Sequence, residues 1–109
     1  MDLFNELQYK IKELDNALEL LRQNGIKLAE AEKNYKILLR QECLKLKDGG
    51  MAIGMIDKTC YGIPEVARLR FERDVADTMY KASLECINSI KLQMRILENQ
   101  IQREYGSCQ

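Results

Sequence analysis

The residues that could support catalysis in this chain are few, because its 109 residues include no histidine. The commonest general base of enzymes is therefore missing, and no cysteine or serine has a sequence neighbour that would activate it as a nucleophile. The four cysteines are Cys43, Cys60, Cys86 and Cys108. They lack the close spacing of zinc ligands, and we predict that they are small packing residues with reduced thiols. The sequence thus indicates a protein that is not an enzyme and has no cofactor.

Two pairs of neighbouring carboxylates are the remaining candidates for a metal site: Glu30 with Glu32, and Asp74 with Asp77. On helices, such residues usually form the solvated face, and we expect no metal there. The glycine-rich stretch at residues 49–54 lacks the Lys-Ser/Thr pair that completes a phosphate-binding loop, so it is read as a turn.

Basic and aromatic residues concentrate near this turn and form the strongest candidate for a binding site. The candidate residues are Arg40, Lys45, Lys47, Lys58, Tyr61, Arg68, Arg70, Phe71 and Arg73, with Tyr35 as a further planar group. Arginine beside aromatic rings binds phosphates, stacks on bases or anchors protein interfaces. Acidic residues interleave with these cations, so ion pairs along the helix surface are the competing interpretation.

A second candidate is the apolar part of the turn, formed by Met51, Ile53, Met55 and Ile56. Exposed methionines adapt easily to the surface of a partner. The alternative is that this loop, in which a short helical turn is expected near Ile53–Cys60, folds back to cover the end of a helical bundle.

The elements that would position these residues are two long helical arms. Apolar residues recur at alternating steps of three and four and predict a coiled-coil-like helix over about residues 2–47. The first of them are Phe4, Leu7, Ile11, Leu14, Leu18 and Leu21. Asn24-Gly25 either kinks this helix or ends it, and the unbroken phase of the stripe through Gly25 to Leu28 favours continuity.

The second arm begins at Pro64, a residue that suits the first helical position. Its apolar stripe runs through Ala76, Tyr80, Ser83, Ile87, Ile90, Met94, Leu97 and Ile101 to about residue 105. With a glycine-rich turn at 48–63 and a short tail at 106–109, the chain is predicted to be a single all-α domain, a long antiparallel helical hairpin. Apolar residues beside both stripes indicate that oligomerisation, as a dimer or higher, completes a bundle.

Composition narrows the class of partner. Lys plus Arg equals Asp plus Glu at 17 each, whereas nucleic-acid-coating proteins usually carry a basic excess. The N-terminus lacks a basic region followed by an apolar one, and no apolar run approaches the ~20 residues of a membrane span. We therefore expect a cytoplasmic protein without a membrane partner.

Four stretches of the sequence are distinctive: AEAEKNY at 29–35, PEVARLRFERD at 64–74, YKASLE at 80–85, and Leu97 with the Gln-Ile and Arg-Glu pairs at 100–104. In these stretches the chain resembles a family of small helical proteins encoded in phages and prophages of Gram-positive bacteria. The family has no established activity, so the resemblance assigns no site residue. It implies a phage context, in which a small non-enzymatic protein serves DNA metabolism or inhibits a host defence system.

Three functions are consistent with these observations. The favoured hypothesis is an interaction protein that binds and inhibits or sequesters a host component, such as an antiviral defence protein or its nucleotide signal. The alternatives are a nucleic-acid or recombination accessory of phage DNA metabolism, and a structural coiled-coil protein of virion assembly.

Overall fold

A computed structural model describes residues 2–106 and contains three helices in this range, with no strand. They are α1 (Leu3–Asp48), α2 (Ile53–Tyr61) and α3 (Pro64–Tyr105). The prediction of an all-α helical hairpin is confirmed. Most of the predicted tail at 106–109, including Cys108, lies outside the described range.

Helix α1 is continuous through Asn24 and Gly25, so the chain does not reverse there. Asp2 caps its first turn: the Asn5 backbone N–H donates to Asp2 Oδ1 at 2.8 Å. At the other end, Gly50 has a φ of +89°, and the N–H groups of Gly50 and Met51 donate to Lys47 and Leu46 carbonyls. This pair of bonds is a Schellman motif, which needs a left-handed residue such as glycine to end the helix.

The contacts divide the chain into two compact units. The turn unit is Gly25–Met79, and the terminal unit comprises the described residues up to Asn24 and from Tyr80 onward. No helix in the described part of the chain contains an apolar stretch long enough to cross a membrane.

The turn unit has a small core around three buried residues, Tyr35, Cys60 and Val66. Half-buried apolar residues pack against them: Leu38, Leu39, Cys43, Leu46, Ile63 and Leu69. Helix α2 contributes Ile56 and Cys60, which lie one turn apart and therefore share its inner face. All three helices thus meet in this core, which fixes α2 against both long arms.

The terminal unit pairs the first half of α1 with the second half of α3. Ile87 and Ile90 are its buried apolar residues, and Asn24 and Ser83 are buried beside them. The Asn24 amide Nδ2 donates to Ser83 Oγ at 2.6 Å, so two polar side chains occupy positions within an otherwise apolar seam. Phe4 and Tyr105 are in contact, with ring centroids 5.4 Å apart.

The seam on α3 follows the predicted stripe, because Ser83, Ile87 and Ile90 are buried. The stripe on α1 is rotated from the prediction: Leu7, Leu14 and Leu21 are half-buried as expected, but Phe4, Ile11 and Leu18 are exposed. Leu3, Ala17 and Asn24 are buried or half-buried instead. The apolar stripe of α1 is wider than one partner helix can cover, so one of its flanks stays in water.

Candidate binding surface at Tyr61 and Arg70

The predicted basic and aromatic residues all lie in the turn unit, distributed over its three helices. The basic side chains among them fall into two groups. Those of one group form ion pairs within the chain, and those of the other are exposed and form no ion pair with any described residue.

Arg68 belongs to the paired group. Its guanidinium bonds Glu65 at 2.9 Å and Glu72 at 2.8 Å, one turn to either side on α3. These bonds, that to Glu65 first, raise the pKa of Arg68 above its usual value. The competing interpretation from the sequence, ion pairs along the helix surface, therefore applies to this residue.

Arg73 is also engaged, in two ways at once. Its guanidinium donates twice to Asp74 Oδ1, at 2.9 and 3.1 Å, and its Cζ lies 4.5 Å from the centre of the Tyr35 ring. Tyr35 is buried, so Arg73 covers the core from outside. Lys45 is paired more loosely, with Glu42 at 3.2 Å.

Arg70 and Tyr61 are the predicted site residues that the fold brings together. The Arg70 guanidinium lies 5.4 Å from the centre of the Tyr61 ring, which joins α3 to the end of α2. Tyr61 is exposed, and Lys58 lies one helical turn before it on α2. No carboxylate among the described residues forms an ion pair with Arg70 or Lys58. Two cations and an aromatic ring are thus presented to solvent together.

Phe71 directly follows Arg70 on α3 and is also exposed. Its side chain is 68% exposed, the most exposed aromatic ring among the described residues. With Val75 and Met79 it lines a shallow groove of about 320 Å³, bordered by Asp74 and Thr78. We call Lys58, Tyr61, Arg70 and Phe71 the Tyr61–Arg70 surface. Arg40 and Lys47 are exposed on α1, and no described contact joins these two residues to the Tyr61–Arg70 surface.

The apolar turn residues divide between the two interpretations that the sequence allows. Ile56 is buried and covers the core, while Met51 is half-buried. Ile53 and Met55 point to solvent, and Ile53 is 81% exposed. Helix α2 has nine residues and therefore an inner and an outer face. Its inner face packs on the core, and its outer face leaves two apolar side chains exposed to solvent.

Two features could not be predicted from the sequence, because both depend on contacts between different helices. One is the buried Asn24–Ser83 pair. The other is a contact between Cys43 on α1 and Cys60 on α2, whose sulfur atoms lie 3.4 Å apart. Burial, and then the contact with Cys43, raises the pKa of Cys60 to about 11. The one indication of this pair in the sequence is that Cys43 and Cys60 lie on either side of the glycine-rich turn.

The described residues contain no group of three or more Cys, Asp or Glu side chains arranged to hold a metal ion. The chemistry that this geometry supports is recognition, by cations and rings, of an anionic or aromatic surface. Comparison of the chain with models of protein families, with curated proteins and with solved structures finds no match.

Proposed function

We propose that the protein is a non-enzymatic, phage-type interaction protein that binds a host component in the host cytoplasm and so inhibits or sequesters it. The binding site is the Tyr61–Arg70 surface. The partner is a host protein with an acidic surface, such as a component of antiviral defence.

The observation that carries this proposal is the stacking of Arg70 on an exposed tyrosine without an ion pair to a described carboxylate. Intramolecular ion pairs neutralise Arg68 and Arg73, so their charges are already partly satisfied. Arginine held against a ring has lost part of its side-chain freedom before binding, which reduces the entropic cost of forming an interface. Tyrosine and arginine are also the residues that most often dominate binding energy in protein interfaces.

The apolar neighbours favour a protein partner over a nucleic acid. Phe71, Val75 and Met79 offer a surface that a phosphate backbone would not cover, whereas an acidic protein with an apolar centre would cover both parts. The zero net charge of the chain supports the same choice, because duplex DNA attracts chains with a basic excess.

Changing Arg70 to glutamate is the first test. We expect Arg70→Glu to reduce capture of the host partner at least tenfold, because a hot-spot arginine contributes about 2 kcal/mol or more and the new charge repels an acidic surface. The measurement is affinity capture from host lysate with mass spectrometry, followed by titration of the purified partner. The matched control is Arg95→Glu, the same charge change at an exposed position elsewhere on α3. Equal capture by both variants would remove this surface from the proposal.

A nucleic-acid accessory is the second candidate. It is favoured by those predicted site cations that are exposed and have no ion pair to a described residue: Arg40, Lys47, Lys58 and Arg70. If DNA binds there, affinity falls steeply with salt, since each neutralised phosphate releases counterions. A titration of labelled DNA at low and moderate salt separates the two functions. Binding that is absent at low salt would exclude this candidate.

We also propose that a second copy of the chain covers the exposed flank of α1. Phe4, Ile11 and Leu18 follow one another at heptad spacing on that flank and are exposed. The terminal unit has few buried apolar residues, so covering this row would add burial that the hairpin itself lacks. The absence of net charge means that two copies do not repel one another as a whole.

The double variant Ile11→Glu/Leu18→Glu is expected to convert the oligomer to monomers, because it places two carboxylates in an apolar interface. The measurement is sedimentation velocity over a range of micromolar concentrations. Asn16→Glu/Gln23→Glu is the control, since it adds the same charge with the same seven-residue spacing at exposed polar positions on another side of the same helix. A wild-type protein that sediments as a monomer throughout this range would contradict the proposed oligomer.

A further inference from the structure

The thiols of Cys43 and Cys60 form a pair that joins two helices of the turn unit. Their sulfur atoms are 3.4 Å apart, and the Cys43 thiol donates towards the Cys60 sulfur. The Cys60 thiol in turn lies 3.6 Å from the Leu39 carbonyl oxygen of α1. Cys60 is 0% exposed, whereas Cys43 is half-buried and so reachable from solvent.

We propose that Cys43 and Cys60 are an oxidation site, at which a peroxide-class oxidant forms an intrachain disulfide that ties α2 to α1. A disulfide bond measures about 2.05 Å, so the sulfur atoms have to approach by somewhat more than an ångström. Rotation of the two side chains about their χ1 bonds covers such a movement. Helix α2 is short, Gly62 follows it directly, and Gly49 and Gly50 lie between it and α1, so small adjustments of the backbone are allowed.

The reaction proceeds in two displacements. The Cys43 thiolate attacks one oxygen of hydrogen peroxide, the O–O bond breaks, and the departing hydroxide takes up the proton lost by the thiol to leave as water. Cys43 is then a sulfenic acid. The Cys60 sulfur attacks the Cys43 sulfur, the S–O bond breaks, and the second hydroxide leaves as water with the Cys60 proton. Two thiols have lost two electrons and two protons, and one peroxide has become two waters.

The order of these displacements follows from access and acidity. Cys43 is the residue that peroxide can reach, because Cys60 is enclosed by the core. The thiolate is the reactive form of cysteine, and burial raises the pKa of Cys60 to about 11, which keeps its proton in place at neutral pH. Cys60 therefore acts second, when the sulfenic acid has already formed against it.

The disulfide would hold α2 in place. It closes a loop between residues 17 positions apart, and this loop contains the glycine-rich turn. Cross-linking such a loop stabilises the folded chain by restricting the unfolded one, and a rise in melting temperature of roughly 10 °C is expected. Because α2 also carries Lys58 and Tyr61, oxidation would fix one side of the Tyr61–Arg70 surface.

The test uses the full chain with Cys86 and Cys108 changed to serine, so that two thiols remain. After treatment with hydrogen peroxide, trypsin releases the peptides 41–45 and 59–68, which contain Cys43 and Cys60 respectively. We expect mass spectrometry without reductant to detect these peptides joined and two hydrogen atoms lighter than their sum. The melting temperature should rise as stated and return to its starting value with dithiothreitol.

Two further variants test the order of reaction in the same background. With Cys60→Ser, a dimedone adduct should appear at Cys43, since the sulfenic acid has no second thiol to attack it. With Cys43→Ser, Cys60 should remain a free thiol under the same treatment. The peptide experiment on the unsubstituted pair does not depend on whether these variants fold.

Three results would overturn the proposal. The first is that peroxide leaves both thiols free. The second is that the two peptides are joined between separate molecules, as shown by a covalent dimer. The third is that Cys43 advances to sulfinic acid while Cys60 stays reduced, because the second sulfur would then be out of reach.

Discussion

Changing Tyr35 to alanine is expected to lower the free energy of unfolding by about 3–5 kcal/mol, as for other large aromatic side chains removed from a core. Tyr35 is 5% exposed and lies in the small core with Cys60 and Val66. The Arg73 guanidinium also packs on this ring, with its Cζ atom 4.5 Å from the ring centre. The substitution leaves a cavity and removes the surface that Arg73 covers, and few other buried residues in this unit can compensate.

The measurement is urea or thermal denaturation followed by circular dichroism at 222 nm. A loss of this size is a large part of the roughly 5–15 kcal/mol by which domains are stable, and the melting temperature should fall by more than about 10 °C. Ile37→Ala is the matched control, because Ile37 is on the same helix, two residues away, and is 50% exposed. Equal losses for the two variants would mean that Tyr35 is not part of the core.

The Asn24–Ser83 pair is the source of the second prediction. Ser83→Ala removes the oxygen that the Asn24 amide contacts at 2.6 Å in a buried seam. A buried donor that loses its acceptor costs about 1–3 kcal/mol. Replacing both partners, as Asn24→Leu/Ser83→Ala, should recover part of this loss, because neither side chain of the pair then remains buried without the other.

This second prediction is tested by a double-mutant cycle with denaturation of the wild type, both single variants and the double variant. Ser89→Ala provides the control, since Ser89 is exposed on the same helix. A coupling energy near zero between positions 24 and 83 would show that the hydrogen bond contributes little. A buried asparagine between two helices often fixes the register in which they pair, at the expense of stability. We therefore expect the two long helices of the double variant to pair in more than one register.

Much of the fold could be predicted from residue pattern alone. The heptad spacing, the proline at 64 and the glycines at 49 and 50 locate the two arms and the turn between them, and the observed ends at Asp48 and Pro64 agree closely. These features act locally, since periodicity, first-turn proline and left-handed glycine each determine backbone conformation within a few residues.

The candidate site was predictable only as a region. Sequence proximity located arginines and aromatic rings near the turn, but it could not separate Arg68, which has two carboxylate neighbours, from Arg70, which lies on Tyr61. Residues 68 and 70 lie on opposite sides of a helix, so one turns towards acidic residues of its own helix and the other towards α2. Which cation remains exposed without an ion pair is therefore a property of the packed unit.

The sequence by itself determined that this chain forms long amphipathic helices and where the turn between them lies, because these depend on interactions between near neighbours. Only the tertiary structure decided which flank of α1 faces α3, which arginine stacks on Tyr61, and that Cys43 meets Cys60. Such choices depend on how side chains from distant segments share a limited buried volume, and a periodic pattern contains no information on that competition.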